Sequence, residues 1–427
     1  MNEQEFERLL KKKDRIIDKL ERENCELKKR LLMYENAHTP PSLQKIKKRI
    51  PRESSGKLGA PKGHPKYERE EPEISKVIKH IVDICPYCNT KLNLKEILEV
   101  IEEEIPEMKK IKAIKHLIEW GICPKCRKRV VAKNNAPADR FGPILKSHIT
   151  LLKHEDRLPL RKVESALERN HDFKITHTGI MKVIRKVANK LREPYYEIIK
   201  QIRSSKVVYI DETGYKLNGN QWWLWTFVCQ NVVLFVIRKS RSKDVVEEIL
   251  GKKYEGIISC DGWKTYESFS DKLQRCWAHL LRESYHMKED HKDFEQYHRI
   301  LKGMFDKIIQ IRLKPPDEKT RIELAGEMRD SLLQTSKSMS AYPQFKKFSI
   351  KIENGINFWF TCIENLEVEP TNNYAEQALR ELIVQRKIMG GLRSEKGAET
   401  LEIISTMIAT WKKQDKPLLQ AMKSYLV

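Results

Sequence analysis

The sequence predicts a multidomain α+β protein, and three observations predict it. The chain opens on a charged heptad pattern, carries two widely spaced Cys-x-x-Cys pairs, and changes its apolar period from helical to alternating near Lys206 before returning to helices. The order is a coiled coil (1–35), a basic linker (36–78), a zinc-binding domain of the zinc ribbon type (79–134) and a helical domain, possible as a helix-turn-helix (135–204). An α/β domain (205–284 and 355–410) follows, interrupted by a helical insertion (285–354) and closed by a C-terminal helix (411–427).

Charge narrows the function classes. Among 427 residues, 82 Lys and Arg stand against 60 Asp and Glu, for a net charge of +22. An anionic polymer, most simply nucleic acid, is the expected partner, ahead of an anionic membrane surface. The most apolar stretch, Trp222 to Ile237, is shorter than a membrane span and is interrupted by Thr226, Gln230 and Asn231. It reads instead as two strands with a turn at Gln230-Asn231. No apolar signal core opens the chain, so the expected location is the cytoplasm, in association with the nucleoid. Nine cysteines in a reducing compartment read as metal ligands or core residues.

Each element has its own signal. Leu10, Ile17, Asn24 and Leu31 occupy heptad position a, and Phe6, Lys13, Leu20, Leu27 and Tyr34 occupy d. A lone Asn at a is satisfied by its mate in a parallel pair, which favours a homodimer over a single solvated helix. In the linker, Lys45, Lys47, Lys48, Arg49, Arg52, Lys57, Lys62 and Lys66 face only Glu53 among scattered prolines. Such an arm can follow a phosphate backbone, and it also serves as a solvated linker.

Cys85, Cys88, Cys123 and Cys126 form two pairs separated by 34 residues (89 to 122). Four thiolates suit one structural Zn²⁺; a redox motif would need a βαβ surround that is missing here. Helical patterns cover Leu151 to Leu167 and Ile175 to Leu191, the second with Thr176 or Thr178 as cap.

Then Val207 to Asp211 reads as a short strand ending in an acid, followed by the Trp222 to Ile237 hairpin, a helix at Val245 to Leu250, and a strand from Gly256 to Asp261. That order is the one expected of an RNase H-like α/β domain. Gln274 to Trp277 reads as a further strand, and a helix runs from Thr371 to Lys387 before the turn at Gly390-Gly391.

Three acids carry candidate chemistry: Asp211, Asp261 and Glu376. Phosphodiester chemistry uses two divalent ions about 4 Å apart, and hard cations prefer carboxylate oxygen. Other readings stand beside this one. Asp211 and Asp261 suit turn caps, Glu212 is a competing ligand, and Asn373-x-x-Glu376 fits a capping box with Glu376 paired to Arg380.

Several strings resemble one family. They are Ile210-Asp-Glu-Thr-Gly214, Asp261-Gly-Trp-Lys-Thr-Tyr266, Cys276-Trp-Ala-His-Leu-Leu-Arg282 and Asn372-Asn-Tyr-Ala-Glu-Gln-Ala-Leu-Arg380, followed by Arg386-Lys387, Arg393-Ser394 and Gly397-Ala398. With the zipper-like start, Gly59-Ala-Pro-Lys-Gly-His64, the paired cysteines and Leu158-Pro-Leu-Arg161, the chain resembles the transposases of the insertion sequence 66 family, which are DDE transposases. It departs from many members at Ile388-Met-Gly-Gly, where they carry an aromatic segment.

The resemblance implies that Asp211, Asp261 and Glu376 bind two Mg²⁺ or Mn²⁺ ions and that the chain cleaves element ends and transfers them into target DNA. Lys47, Lys48, Arg49, His279, Arg282, Arg380, Arg386, Lys387 and Arg393 are the expected DNA contacts or ligand-orienting groups. Trp263 and Tyr266 are core residues or base-stacking ones. The alternative function is a non-catalytic, zinc-containing DNA-binding regulator descended from a transposase.

Overall fold

The computed structural model describes residues 20, 23, 74, 77–78, 87–91, 110–131, 137, 139–262 and 264–426. Most of the heptad segment, Lys47, Lys48, Arg49, Cys85 and Trp263 lie outside them. The first strands, β1 (Trp120–Ile122) and β2 (Arg129–Val131), form an antiparallel hairpin whose turn holds Cys123 and Cys126. Four helices follow: α1 (Pro143–His154), α2 (Leu160–His171), α3 (His177–Lys190) and α4 (Arg192–Arg203). The Thr176 side chain caps α3 by accepting from the Gly179 N–H, as its position predicts.

The central sheet then begins with β3 (Val207–Leu217), β4 (Asn220–Val228) and β5 (Val233–Arg238), an antiparallel meander. Helix α5 (Lys243–Leu250) crosses over to β6 (Ile257–Cys260), and β7 (Leu273–Arg275) follows. The strand order is β5-β4-β3-β6-β7, with β6 parallel to β3 and β7 parallel to β6. The expected meander, crossover helix and returning strand are therefore present in a mixed α/β fold.

Several boundaries differ from the sequence reading: Trp277 opens a helix instead of closing a strand, and residue 411 lies inside the helix Glu395–Lys413 instead of starting one. β3 continues six residues past Asp211, which places that acid mid-strand. The extension exists because Asn218 and Gly219, with φ of 49° and 78°, form the tight left-handed turn that returns the chain as β4. Tyr215 then pairs with Trp222, and Leu217 with Asn220. On its other edge β3 meets β6 only as far as Tyr209 opposite Ser259. Two residues beyond that last pair, on each chain, come Asp211 and Asp261.

Both sheet faces are covered. Val208, Ile210, Trp225, Phe227, Leu234 and Val236 pack with helices α1 to α5. The opposite face, including Tyr209, Tyr215, Leu224 and Phe235, packs with α6 (Trp277–Asp290), α7 (Glu295–Leu313), α8 (Glu318–Ser340), α9 (Lys346–Asn354), α10 (Thr361–Glu364) and α11 (Asn373–Met389). Two helices complete the chain, α12 (Glu395–Lys413) and α13 (Leu418–Ser424).

The edge strand β5 is sealed by side chains of α12. The backbone N–H groups of Val233, Phe235 and Ile237 donate to Thr410 Oγ1, Thr406 Oγ1 and Glu402 Oε1. The match is geometric: four helical residues rise about 6 Å, close to the advance of two strand residues. Groups that would otherwise recruit a foreign strand are thereby satisfied.

Helix α11 is tied to β3 at both ends. At its start Asn372 Nδ2 donates to the Ile210 carbonyl at 2.7 Å. Just past its end, Leu392 N donates to the Lys216 carbonyl at 2.9 Å, and Asn218 N donates to the Leu392 carbonyl at 2.7 Å. Gly391 permits that approach, because a Cβ there would lie 2.5 Å from the Lys216 carbonyl oxygen.

Candidate active site

Three separate elements bring acids to one end of the sheet. β3 supplies Asp211, the turn after β6 supplies Asp261, and the first turn of α11 supplies Glu376. Gly262, at φ +103°, lets the chain turn sharply directly after Asp261. A cavity of about 350 Å³ is lined by Asp211, His279, Glu376, Leu379, Arg380 and Ile383. Asp261 is absent from that lining, yet its charge acts on Asp211. Burial, followed by the negative charges of Glu212, Asp261 and Glu376, pushes the Asp211 carboxyl up to about 7.

Glu212, the competing ligand, is already committed elsewhere. Arg241 donates to its Oε1 at 2.6 and 2.7 Å, and the Tyr266 hydroxyl donates to Oε2 at 3.1 Å. Burial and the Asp261 charge raise its pKa, and these partners oppose the rise. Tyr266 is therefore a core residue with a polar tip.

Glu376 does not act as part of a capping box. The N-cap is Asn372, one residue earlier than read, and its side chain is spent on the Ile210 carbonyl. Nor does Glu376 turn to Arg380: its oxygens face His279 Nδ1 at 3.5 Å and Arg282 at 3.8 Å, both from α6. Glu376 Oε1 is sealed from solvent and accepts no hydrogen bond. An oxygen-preferring divalent ion fits this donor set, because the charges of Asp261 and Glu376 act on Asp211 and one buried Glu376 oxygen accepts no hydrogen bond.

The expected basic contacts divide into groups. Arg380, Lys387 and Arg393 are exposed, and Arg380 lines the cavity. Arg386 is turned inward, where it donates to the Gly214 carbonyl and lies 6.0 Å over the Tyr215 ring. His279 and Arg282 flank Glu376. The sequence reading missed Arg241 and Asn372. Asn372 sits inside a quoted motif, but its partner is a backbone carbonyl on another element.

Among the described residues one group of three metal-capable side chains has its ligand atoms within 4.8 Å of one another, and it is Cys276, His279 and Glu376. Asp211, Asp261 and Glu376 are more widely spread, and Cys88, Cys123 and Cys126 are not drawn to that spacing. The turn that carries Cys123 and Cys126 is closed by hydrogen bonds: Cys123 N donates to Lys128 O, and Arg127 N donates to Cys123 O, both at 2.9 Å. Backbone N–H groups of Cys126 and Lys125 hold the Cys123 thiol below its ordinary pKa.

Among the described residues no helix is long and apolar enough to cross a membrane. No curated protein matches the chain. Residues 139–400 match the family model described as transposase IS66 family, a span that takes in all three acids and more than half of the sequence. The chain belongs to the IS66 family of transposases.

Proposed function

We propose that the protein is a DDE transposase of RNase H-like architecture that binds the ends of an insertion sequence, cleaves a strand there and joins the freed end to target DNA. The observation that carries this reading is the meeting of Asp211, Asp261 and Glu376 at one end of the sheet, with Glu376 and Asp211 on the wall of one cavity. These three would hold two Mg²⁺ or Mn²⁺ ions, which when bound activate the attacking oxygen and stabilise the leaving one.

In the first step water attacks a phosphorus at the element end and the bond to the 3′ oxygen breaks, leaving a 3′ hydroxyl and a 5′ phosphate. In the second step that 3′ hydroxyl attacks a target phosphodiester, forming one P–O bond as another breaks. Energy is conserved bond for bond, so neither step calls for a Ser or Tyr nucleophile. The protein's part is to hold and orient. His279 and Arg282 fix Glu376, Asn372 fixes the start of its helix, and exposed Arg380, Lys387 and Arg393 bind phosphates. Upstream, the reading includes a four-thiolate zinc module and a coiled-coil homodimer that pairs two element ends.

The test removes charge while keeping shape. Asp211→Asn, Asp261→Asn and Glu376→Gln should each slow strand cleavage about a thousandfold, as losing several kcal/mol of charge stabilisation implies. Binding to end DNA in a gel-shift assay should persist. Glu376→Gln protein that cleaves at the wild-type rate in Mg²⁺ would overturn the assignment.

A further inference from the structure

We propose that Cys276, His279 and Glu376 form a binding site for one borderline-soft divalent cation of the Zn²⁺ class, separate in chemistry from the oxygen-donor site and sharing Glu376 with it. Cys276 is the N-cap residue of α6 and His279 lies three positions on, so both project from one side of the helix start. Across from them α11 presents Glu376. One sulfur, one nitrogen and one oxygen atom lie within 4.8 Å of one another. Zinc bonds of about 2.0 to 2.3 Å place tetrahedral ligands roughly 3.3 to 3.8 Å apart, so small side-chain rotations close the site.

The polar atoms themselves call for an occupant. His279 Nδ1 and Glu376 Oε1 are both buried without a hydrogen-bond partner, although they face each other at 3.5 Å. A cation between them would satisfy both atoms at once. The remaining contacts leave room for it. Arg282 approaches the other carboxylate oxygen, Oε2, and the Cys276 sulfur accepts from the Asn372 N–H at 3.1 Å, a contact a thiolate keeps. A fourth position opens on the cavity that His279 and Glu376 line. Sulfur and imidazole donors are poor for Mg²⁺ and good for Zn²⁺ or Co²⁺, so the two classes of ion select different sets around one shared carboxylate.

The binding claim is independent of catalysis. Its consequence, that Zn²⁺ at this site takes Glu376 from the oxygen-donor set and inhibits cleavage, rests on the proposed transposase reading. The test titrates chelator-stripped full-length protein with Co²⁺ and follows the sulfur-to-cobalt charge-transfer band. Wild type should take up one equivalent more than Cys276→Ser and one more than His279→Gln, with both variants checked for folding by circular dichroism. Thiolates elsewhere in the chain are common to all three proteins and cancel in the difference. Equal uptake and equal band intensity in the folded variants would overturn the site. Cobalt uptake that differs as expected, with Mg²⁺-dependent cleavage equally sensitive to Zn²⁺ in wild type and Cys276→Ser, would overturn the competition alone.

Discussion

The β1–β2 hairpin and the acid-bearing end of the central sheet are both candidate metal sites, yet they are built in opposite ways. Around the acids, Ile210, Trp225, Phe227 and Ile258 are almost wholly buried, and the carboxylates are mounted on a scaffold with cores on both faces. In the hairpin, Trp120 and Ile122 are each 62% exposed and Val130 is 58% exposed. Two strands of three residues bury too little to hold themselves together. At the sheet an ion would make use of a fold that already stands; at the hairpin an ion would have to supply the fold.

The largest expected effect breaks the two regions apart. Structural zinc contributes on the order of 10 kcal/mol to small modules, so chelation should erase amide-exchange protection in β1–β2 and leave the protection of β3, β4 and β5 unchanged. Protection that survives in the hairpin after complete metal removal would contradict the comparison. The next effect lies on the sheet side. Arg241→Met leaves the Glu212 carboxylate, only 2% exposed, without its cation, and should cost about 3 kcal/mol in urea unfolding of the sheet domain. Arg241→Met with Glu212→Gln should recover most of that loss.

Acid gives a smaller and graded handle. Burial, followed by the charge of Lys153, pushes the His154 pKa down to about 3, well below its value in an unfolded chain. A depressed folded value means the contribution is complete above about pH 6.5 and is lost as pH falls toward the folded pKa. Between pH 7 and pH 5 the metal-free protein should lose about 1 to 2 kcal/mol through this residue, and His154→Phe should flatten that part of the stability profile. The smallest effect returns to the hairpin. Trp120→Ala removes a solvent-facing ring whose contact with Arg129 spans 4.6 Å, and should change zinc affinity and stability by about 0.5 kcal/mol or less.

What the sequence made legible follows the reach of each interaction. The helix His177–Lys190, the crossover helix and the strand before Asp261 stand close to where local periodicity puts them, whereas the Leu151–Leu167 pattern is divided between two helices that extend beyond it on both sides. The second half of β3 carries the same information in Tyr215, Leu217 and the Asn218-Gly219 turn, but an early end at Asp211 hid it. The acids stand in local strings and could be singled out. Arg241 holds Glu212 from a loop after β5, and Asn372 is spent on a carbonyl of β3; neither partnership leaves a trace in local spacing. Cys276 and His279 are one turn apart in sequence, whereas the carboxylate that completes their cluster arrives from a helix beyond the whole insertion.

The double attachment of α11 to β3 has a consequence for how this chain can vary. Asp211 and Glu376 are separated by four strands, a crossover helix and the helices of residues 285–354, a path along which placement errors would ordinarily accumulate. Because Asn372 and Leu392 tie α11 to Ile210 and Lys216 on the strand that carries Asp211, the spacing of the two acids is set by a short closed circuit of hydrogen bonds. The intervening helices are outside that circuit. Changes in their lengths or exposed faces therefore leave the distance between the two acids to the same four residues.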